Sequence, residues 1–261
     1  MKILFSSYLF DPSVGGIESV SKILAEKFAA AGNEVHIITQ TPGEEIIAAN
    51  YRVTRRPSLS KLFALLNWCD LFFQNNITLR SLIPALLRRK PTLVVHQTWL
   101  RNTRGEMTWN NRLKRALLPR VTNVAISKAV ADSIAGHSFV IGNPYDDAVF
   151  RLMPNIARDK DLVFVGRLVS DKGVDLLLSA LKSLQNENFH PNLTIVGSGP
   201  EESNLRKLTA ELSLDRQVTF SGQQFGNALA EILNQHRFLI VPSRWKESRA
   251  VASSSARRKA V

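Results

Sequence analysis

Leu162-Val-Phe-Val-Gly-Arg-Leu-Val-Ser-Asp-Lys-Gly173 is the stretch from which the rest of this chain is read. Its first four residues are apolar, as in a buried strand. Gly166-Arg167 ends that strand, and Lys172-Gly173 opens an amphipathic run from Val174 to Leu184. A strand that turns directly into a helix is half of a βαβ unit, and such units build parallel sheets covered by helices. The first turn of a helix leaves backbone N–H groups without partners and carries partial positive charge. A turn with Arg167, Lys172 and a glycine-opened backbone therefore suits a diphosphate. Unpaired cations there are costly unless an anion arrives.

The same alternation continues downstream. Strands are expected at Leu193–Val196, Val218–Ser221 and Phe238–Val241, and helices at Glu202–Leu212 and Asn227–Gln235. Upstream, the pattern runs through strands Ile3–Ser7, Glu34–Thr39, Arg52–Thr54, Leu71–Gln74, Thr92–His96, Asn123–Ile126 and Ser138–Ile141. Helices fall between them: one opened by Gly15-Gly16, then Ser60–Trp68, Leu82–Arg89, Asn110–Leu118 and Ala129–Ile134. Residues 142–160, rich in Asn, Asp and Pro, read as a linker. The expected architecture is α/β, with two tandem Rossmann-like domains facing a central cleft, residues 1–150 and 151–247. The second domain has fewer strands than such a fold usually carries. Residues 248–261 have no acids and no apolar period, and read as an aberrant, unstructured tail.

Composition narrows the function. Of 261 residues, 44% are hydrophobic, enough to bury two cores. Cys69 is the one cysteine, which excludes an intramolecular disulfide and suits a small buried apolar position. No signal peptide and no membrane-spanning apolar run is visible, so a cytoplasmic location is expected. The net charge of +12 lies almost wholly in residues 51–120, where 14 Lys and Arg meet only Asp70 and Glu106. Leucines and aromatics are interleaved there, which fits peripheral contact with an anionic membrane, on the inner face of the plasma membrane, as well as a simple solvated cationic face. A nucleic-acid role has no motif behind it.

Ligands in such sheets bind outside the carboxyl ends of the strands. The residues there are Gly15, Gly16, His96 and Ser127 in the first half. In the second half they are Gly166, Arg167, Lys172, Gly197, Gly199, Gly222 and the run Ser243-Arg244-Trp245. Glu18 would complement the dipole of the helix it begins. His36, His137, His190 and His236 read as structural. No His/Cys/Asp cluster has metal-ligand spacing, and neither a Walker A lysine pattern nor a GxGxxG after the first strand is present.

In this order the motifs carry a resemblance. They are Gly15-Gly16-Ile17-Glu18, His96-Gln97-Thr98, Val124-Ala-Ile-Ser127, Gly142-Asn-Pro144, Gly166-Arg167 with Lys172-Gly173, Gly197-Ser-Gly-Pro200, Phe220-Ser221-Gly222 and Val241-Pro-Ser243. The chain resembles the family 4 glycosyltransferases, which are retaining enzymes dependent on nucleotide-sugars. The resemblance implies that Arg167 and Lys172 hold the donor diphosphate and that Gly16 lets a helix N-terminus approach it. His96 would contact the donor sugar, Phe220, Ser221 and Gly222 would border the base, and Glu247 would be the first acid of the family's C-terminal pair. It also implies no metal or other cofactor, a UDP- or GDP-sugar donor, and a glycan or lipid-linked acceptor in surface polysaccharide or lipopolysaccharide assembly. Ser255 stands where the second acid is expected, so impaired transfer by a truncated chain is the expectation. A non-catalytic remnant that binds sugar-nucleotide or glycan is the alternative.

Overall fold

The structure is a computed structural model that describes residues 1–13, 15–47, 50–100, 107–134 and 136–244. Two compact units divide the chain, one running to Tyr145 and the other starting at Asp146.

The first unit alternates β1 (Lys2–Ser7), α1 (Gly16–Ala30), β2 (Glu34–Thr39), β3 (Ile46–Ile47), β4 (Tyr51–Arg55), α2 (Leu59–Trp68), β5 (Leu71–Asn75) and α3 (Leu79–Leu87). It continues with β6 (Thr92–His96), α4 (Trp109–Leu117), β7 (Thr122–Ala125), α5 (Lys128–Ala131) and β8 (Phe139–Val140). The sheet order is β3-β4-β2-β1-β5-β6-β7-β8, parallel throughout except for the short β3 against β4. Because β1 has β2 on one side and β5 on the other, the winding reverses at β1 and β5. Alternation along β1 divides the core. Ile3 and Phe5 face one cluster, where Phe5 stacks on Phe73 with centroids 4.7 Å apart. Leu4 faces the other, among Leu62, Leu66 and Phe72. A parallel sheet is thus buried on both faces, as its continuous apolar strands require. Cys69 lies buried in the second cluster.

The second unit contains β9 (Lys160–Val165), α6 (Val174–Asn186), β10 (Leu193–Val196), α7 (Glu202–Glu211), β11 (Val218–Gly222), α8 (Gly226–Gln235) and β12 (His236–Leu239). The described strands pair in parallel in the order β11-β10-β9-β12, so the winding reverses at β9 and β12. Leu177, Leu178 and Leu181 of α6 pack on Phe164 and Ile195. This is the helical period read from Val174 onward.

Several elements depart from the sequence reading, among them β9, which starts at Lys160 rather than Leu162, and α5, which ends at Ala131 rather than Ile134. The two-residue β3 was not expected; its signal is too short to stand apart from the turn at Pro42-Gly43. Helix α3 starts at Leu79 rather than Leu82. Buried Gln74 holds its first turn, donating from Nε2 to the Thr78 carbonyl, Thr78 Oγ1 and Ser81 Oγ at 3.1, 3.1 and 2.7 Å. Strand β12 starts two residues early because His236 is buried and anchored, its Nδ1 2.6 Å from the Ile232 carbonyl and its Nε2 2.7 Å from Thr194 Oγ1. No described helix is long and apolar enough to cross a membrane.

Candidate functional site

In the second unit the loops leaving β9, β10 and β11 are joined main chain to main chain. Gly166 N–H donates to the Val196 carbonyl at 3.0 Å, Leu168 N–H to Ser198 at 2.9 Å, and Gly197 N–H to Gly222 at 2.7 Å. Glycine is needed where these strands of backbone cross. A Cβ on Gly197, whose φ is +139°, would strike the Gly166 carbonyl, and one on Gly199 would strike the Leu168 carbonyl. Gly173 has φ +68° and caps α6, and its missing side chain leaves room for the Pro242 carbonyl. The result is a backbone platform held rigidly at the reversal point of the sheet.

Arg167 rises from this platform. It is exposed, and among the described residues no carboxylate pairs with it. Lys172 is half-buried in the 3₁₀ turn Ser170–Lys172, its N–H donating to the Val169 carbonyl at 3.0 Å. Arg244 differs from both. Its guanidinium forms an ion pair with Asp175 in the first turn of α6, and its N–H donates to the Asp171 carbonyl at 3.0 Å. Arg244 therefore closes the loop after β12 against the start of α6. Phe220 does not turn its ring to the loops. The Arg206 guanidinium lies 4.4 Å from its centroid and the ring packs on the core. Ser221 and Gly222 follow it at the end of β11. Trp245, Glu247 and the tail 248–261 lie outside the described residues.

In the first unit His96 has 0% exposure. Its Nε2 lies 2.9 Å from Asn123 Oδ1, and its Nδ1 is buried without a partner among the described residues. Burial lowers its pKa, only partly offset by the bond to Asn123, so the ring is held neutral. This is the residue from which the resemblance implies a contact with the donor sugar, and it sits buried at the end of its strand. As the last residue of an interior strand, His96 turns its side chain into the packed layer. At α1, Gly15 is extended and the Glu18 carboxylate folds back onto the spot a Cβ would occupy. Gly16 is exposed at the first helical position.

The carboxyl ends of β1, β5 and β6 hold a buried polar network that the sequence reading passed over. Asn75 donates from Nδ2 to Ser21 Oγ at 2.7 Å, and Ser21 shares a bond with Ser7 Oγ at 2.8 Å. Gln97 donates from Nε2 to Asn75 Oδ1 at 2.8 Å and exchanges bonds with Asn143. The signal was present: each of these apolar strands ends on paired polar residues, Ser6-Ser7, Gln74-Asn75 and His96-Gln97. The network fixes the start of α1 against β5. Beside it lies a cavity of about 530 Å³, walled by the loop after β1, the start of α1, the β5–α3 turn and one face of α4. Among the described residues, no group of three or more His, Cys, Asp or Glu gathers to hold a metal.

Residues 153–253 match the family described as Glycosyl transferases group 1. That segment contains every part of the glycine platform. Over 80 residues the chain is 35% identical to the GDP-mannose-dependent alpha-(1-6)-phosphatidylinositol monomannoside mannosyltransferase of Mycobacterium tuberculosis, covering 31% of this chain and 21% of that protein. Over 86 residues it is 27% identical to the alpha-D-kanosaminyltransferase of Streptomyces kanamyceticus, covering 33% and 22%. The matched stretches thus span less than a third of these relatives. Among solved structures, the sucrose-phosphate synthase of Thermosynechococcus elongatus aligns with TM-score 0.76 at 19% identity, covering 98% of this chain and 78% of that one. Anabaena HepE in complex with UDP and glucose aligns with TM-score 0.74 at 20% identity, with the same coverages. These likenesses establish the α/β fold of B-type glycosyltransferases over most of the chain.

Proposed function

We propose that this chain is a nucleotide-sugar-dependent glycosyltransferase of the retaining, family 4 kind, with the donor held by its second unit. The observation that carries the proposal is Arg167, exposed and without a carboxylate partner among the described residues, on a glycine-built platform at the sheet's reversal point. The family match over the same segment supports it. The donor diphosphate lies along Gly166 and Gly197 with Arg167 and Lys172 as its cations, and the base lies near Ser221 and Gly222. HepE was solved with UDP, and the mycobacterial relative is described as GDP-mannose-dependent. The donor is accordingly a UDP- or GDP-sugar.

In the reaction, the bond from the anomeric carbon to the diphosphate oxygen breaks and its electron pair leaves with the diphosphate. An acceptor hydroxyl oxygen bonds to that carbon on the same face, and its proton passes to a phosphate oxygen. Charge builds on the departing diphosphate, and cations fixed in advance stabilise it most there. Removing one such group costs about 3 kcal/mol of barrier. The acceptor is a glycan or a lipid-linked saccharide, and the basic stretch 51–120 brings the chain to an anionic membrane on the cytoplasmic side.

Calorimetry with UDP and GDP tests the donor site. One nucleotide is expected to bind, and Arg167→Ala to weaken it about tenfold or more, as for a lost hydrogen bond to a charged group. Absence of binding by both nucleotides, or wild-type affinity in Arg167→Ala, overturns the proposal.

A further inference from the structure

The cavity of the first unit has a charge pattern that donor binding does not use. We infer that it takes a saccharide carrying an anionic group, a phosphate ester or a carboxylate, and that Arg80 and Lys114 read that charge. This rests on the transferase reading above, since it assigns the class of acceptor.

The cavity lies at the carboxyl ends of β1 and β5, where the first sheet reverses its winding, the position at which open α/β sheets bind ligands. Its wall combines the apolar residues Tyr8, Leu9 and Ile17 with the amide residues Asn76 and Asn110. Apolar patches between amide donors and acceptors match a sugar, whose ring carbons and hydroxyls alternate in the same way. About 530 Å³ accommodates one or two sugar rings.

The charges are uneven. Among the described residues Glu18 is the acid in the wall, and it folds over Gly15 at the N-terminus of α1, where the helix dipole meets its charge. Arg80 and Lys114 have no such complement. Among the described residues no carboxylate lies within ion-pair distance of either. Arg80 sits in the first turn of α3 and, among the described residues, donates only a 3.3 Å bond to the Pro57 carbonyl. Lys114 is half-buried on α4, and burial alone pulls its pKa below the usual lysine range. A partly buried ammonium without a counter-charge gains from an arriving anion, and a guanidinium in the wall of the same cavity supplies planar, two-pronged donors for phosphate or carboxylate. Neither residue belongs to the polar network that fixes α1, so both can be replaced without disturbing it.

The test measures binding of a hexose phosphate, a hexuronate and the unmodified hexose by calorimetry at low salt, without nucleotide. One of the anionic sugars is expected to bind at least about tenfold more tightly than the neutral hexose. Arg80→Ala and Lys114→Met are each expected to weaken it about tenfold while leaving the circular dichroism spectrum unchanged. Whichever anionic sugar binds more tightly identifies the acceptor's charged group. Arg167→Ala should leave this binding intact and weaken only UDP or GDP, so a failure of the donor assignment and a failure here are read separately. Equal affinity for the neutral hexose, wild-type affinity in both variants, inorganic phosphate binding as well as the hexose phosphate, or no binding by any of the three sugars overturns the inference.

Discussion

Gly197 shows how little freedom the donor platform leaves a single residue. Its φ of +139° is open to glycine and strained for other residues, and the carbonyl its Cβ would strike belongs to Gly166, which is itself bonded to Val196. Main chain held from both sides cannot yield as a flexible side chain can. Gly197→Ala is therefore expected to cost at least about 2 kcal/mol, the scale of backbone strain at such a position, and to weaken nucleotide binding. Gly32→Ala provides the comparison. Gly32 also has positive φ, at +82°, but nothing lies within 4 Å of a built Cβ. It should lose about 1 kcal/mol and leave nucleotide affinity unchanged. Urea unfolding of the two variants separates strain alone from strain plus collision. Arg167 and Arg244 make the same point about charge. Both were legible as cations after strands, but only the fold shows that Arg244 is spent on Asp175 while Arg167 is not.

The basic stretch resolves differently once elements are considered rather than residues. Part of its charge is used internally. Arg55 donates to the carbonyls of Glu44 and Asp11, Arg56 to that of Gln40, and Lys90 to those of Asn67 and Cys69. Arg88 lies 5.0 Å from the centroid of Phe63. Among the described residues, the cations of helix α4 have none of these ties. The helix buries no residue, carries Arg112 and Arg115 on its surface, and begins with Trp109 at 75% exposure. Exposed Leu59 begins α2, and exposed Leu87 ends α3. Cations beside exposed apolar residues on short helices are the features of a surface that rests on anionic lipid. Flotation with vesicles containing anionic lipid should recover the chain at low salt and lose it at high salt. The double variant Arg112→Glu, Arg115→Glu should lose it at both. Equal recovery with neutral vesicles would remove the membrane part of the proposal. Element boundaries had their own reasons for escaping the sequence. The start of α3 depends on Gln74, a β5 residue, and that of β12 on Thr194, 42 positions away from His236.

At the scale of the molecule, three histidines tie stability to pH in one direction. His36, His96 and His236 all have pKa values lowered from 6.5, each mainly by burial, with smaller contributions from nearby charges and hydrogen bonds. The folded state holds them neutral to lower pH than the unfolded chain does. Below about 6.5 the unfolded chain binds more protons, so stability present above that pH is lost as pH falls through and below it. Thermal melts should show a midpoint that is flat above pH 7 and falls toward pH 5. Replacing His36 and His236 with Gln should flatten that fall, and an unchanged profile would show that other groups control it.

What the sequence determined by itself was the run of strands and helices and the positions of the glycines and cations of the second unit. Periodicity and turn chemistry are local, and a strand followed by Gly166-Arg167 carries its meaning within a dozen residues. The tertiary structure alone decided which strands lie side by side, that His96 is packed inside while Arg80 and Lys114 meet at one cavity, and that Ser7, Ser21, Asn75 and Gln97 form a single network. Asn75 lies 54 positions from Ser21 and 22 from Gln97. A hydrogen bond over such a separation exists only after the sheet has closed the intervening chain, so no local pattern in the residues could announce it.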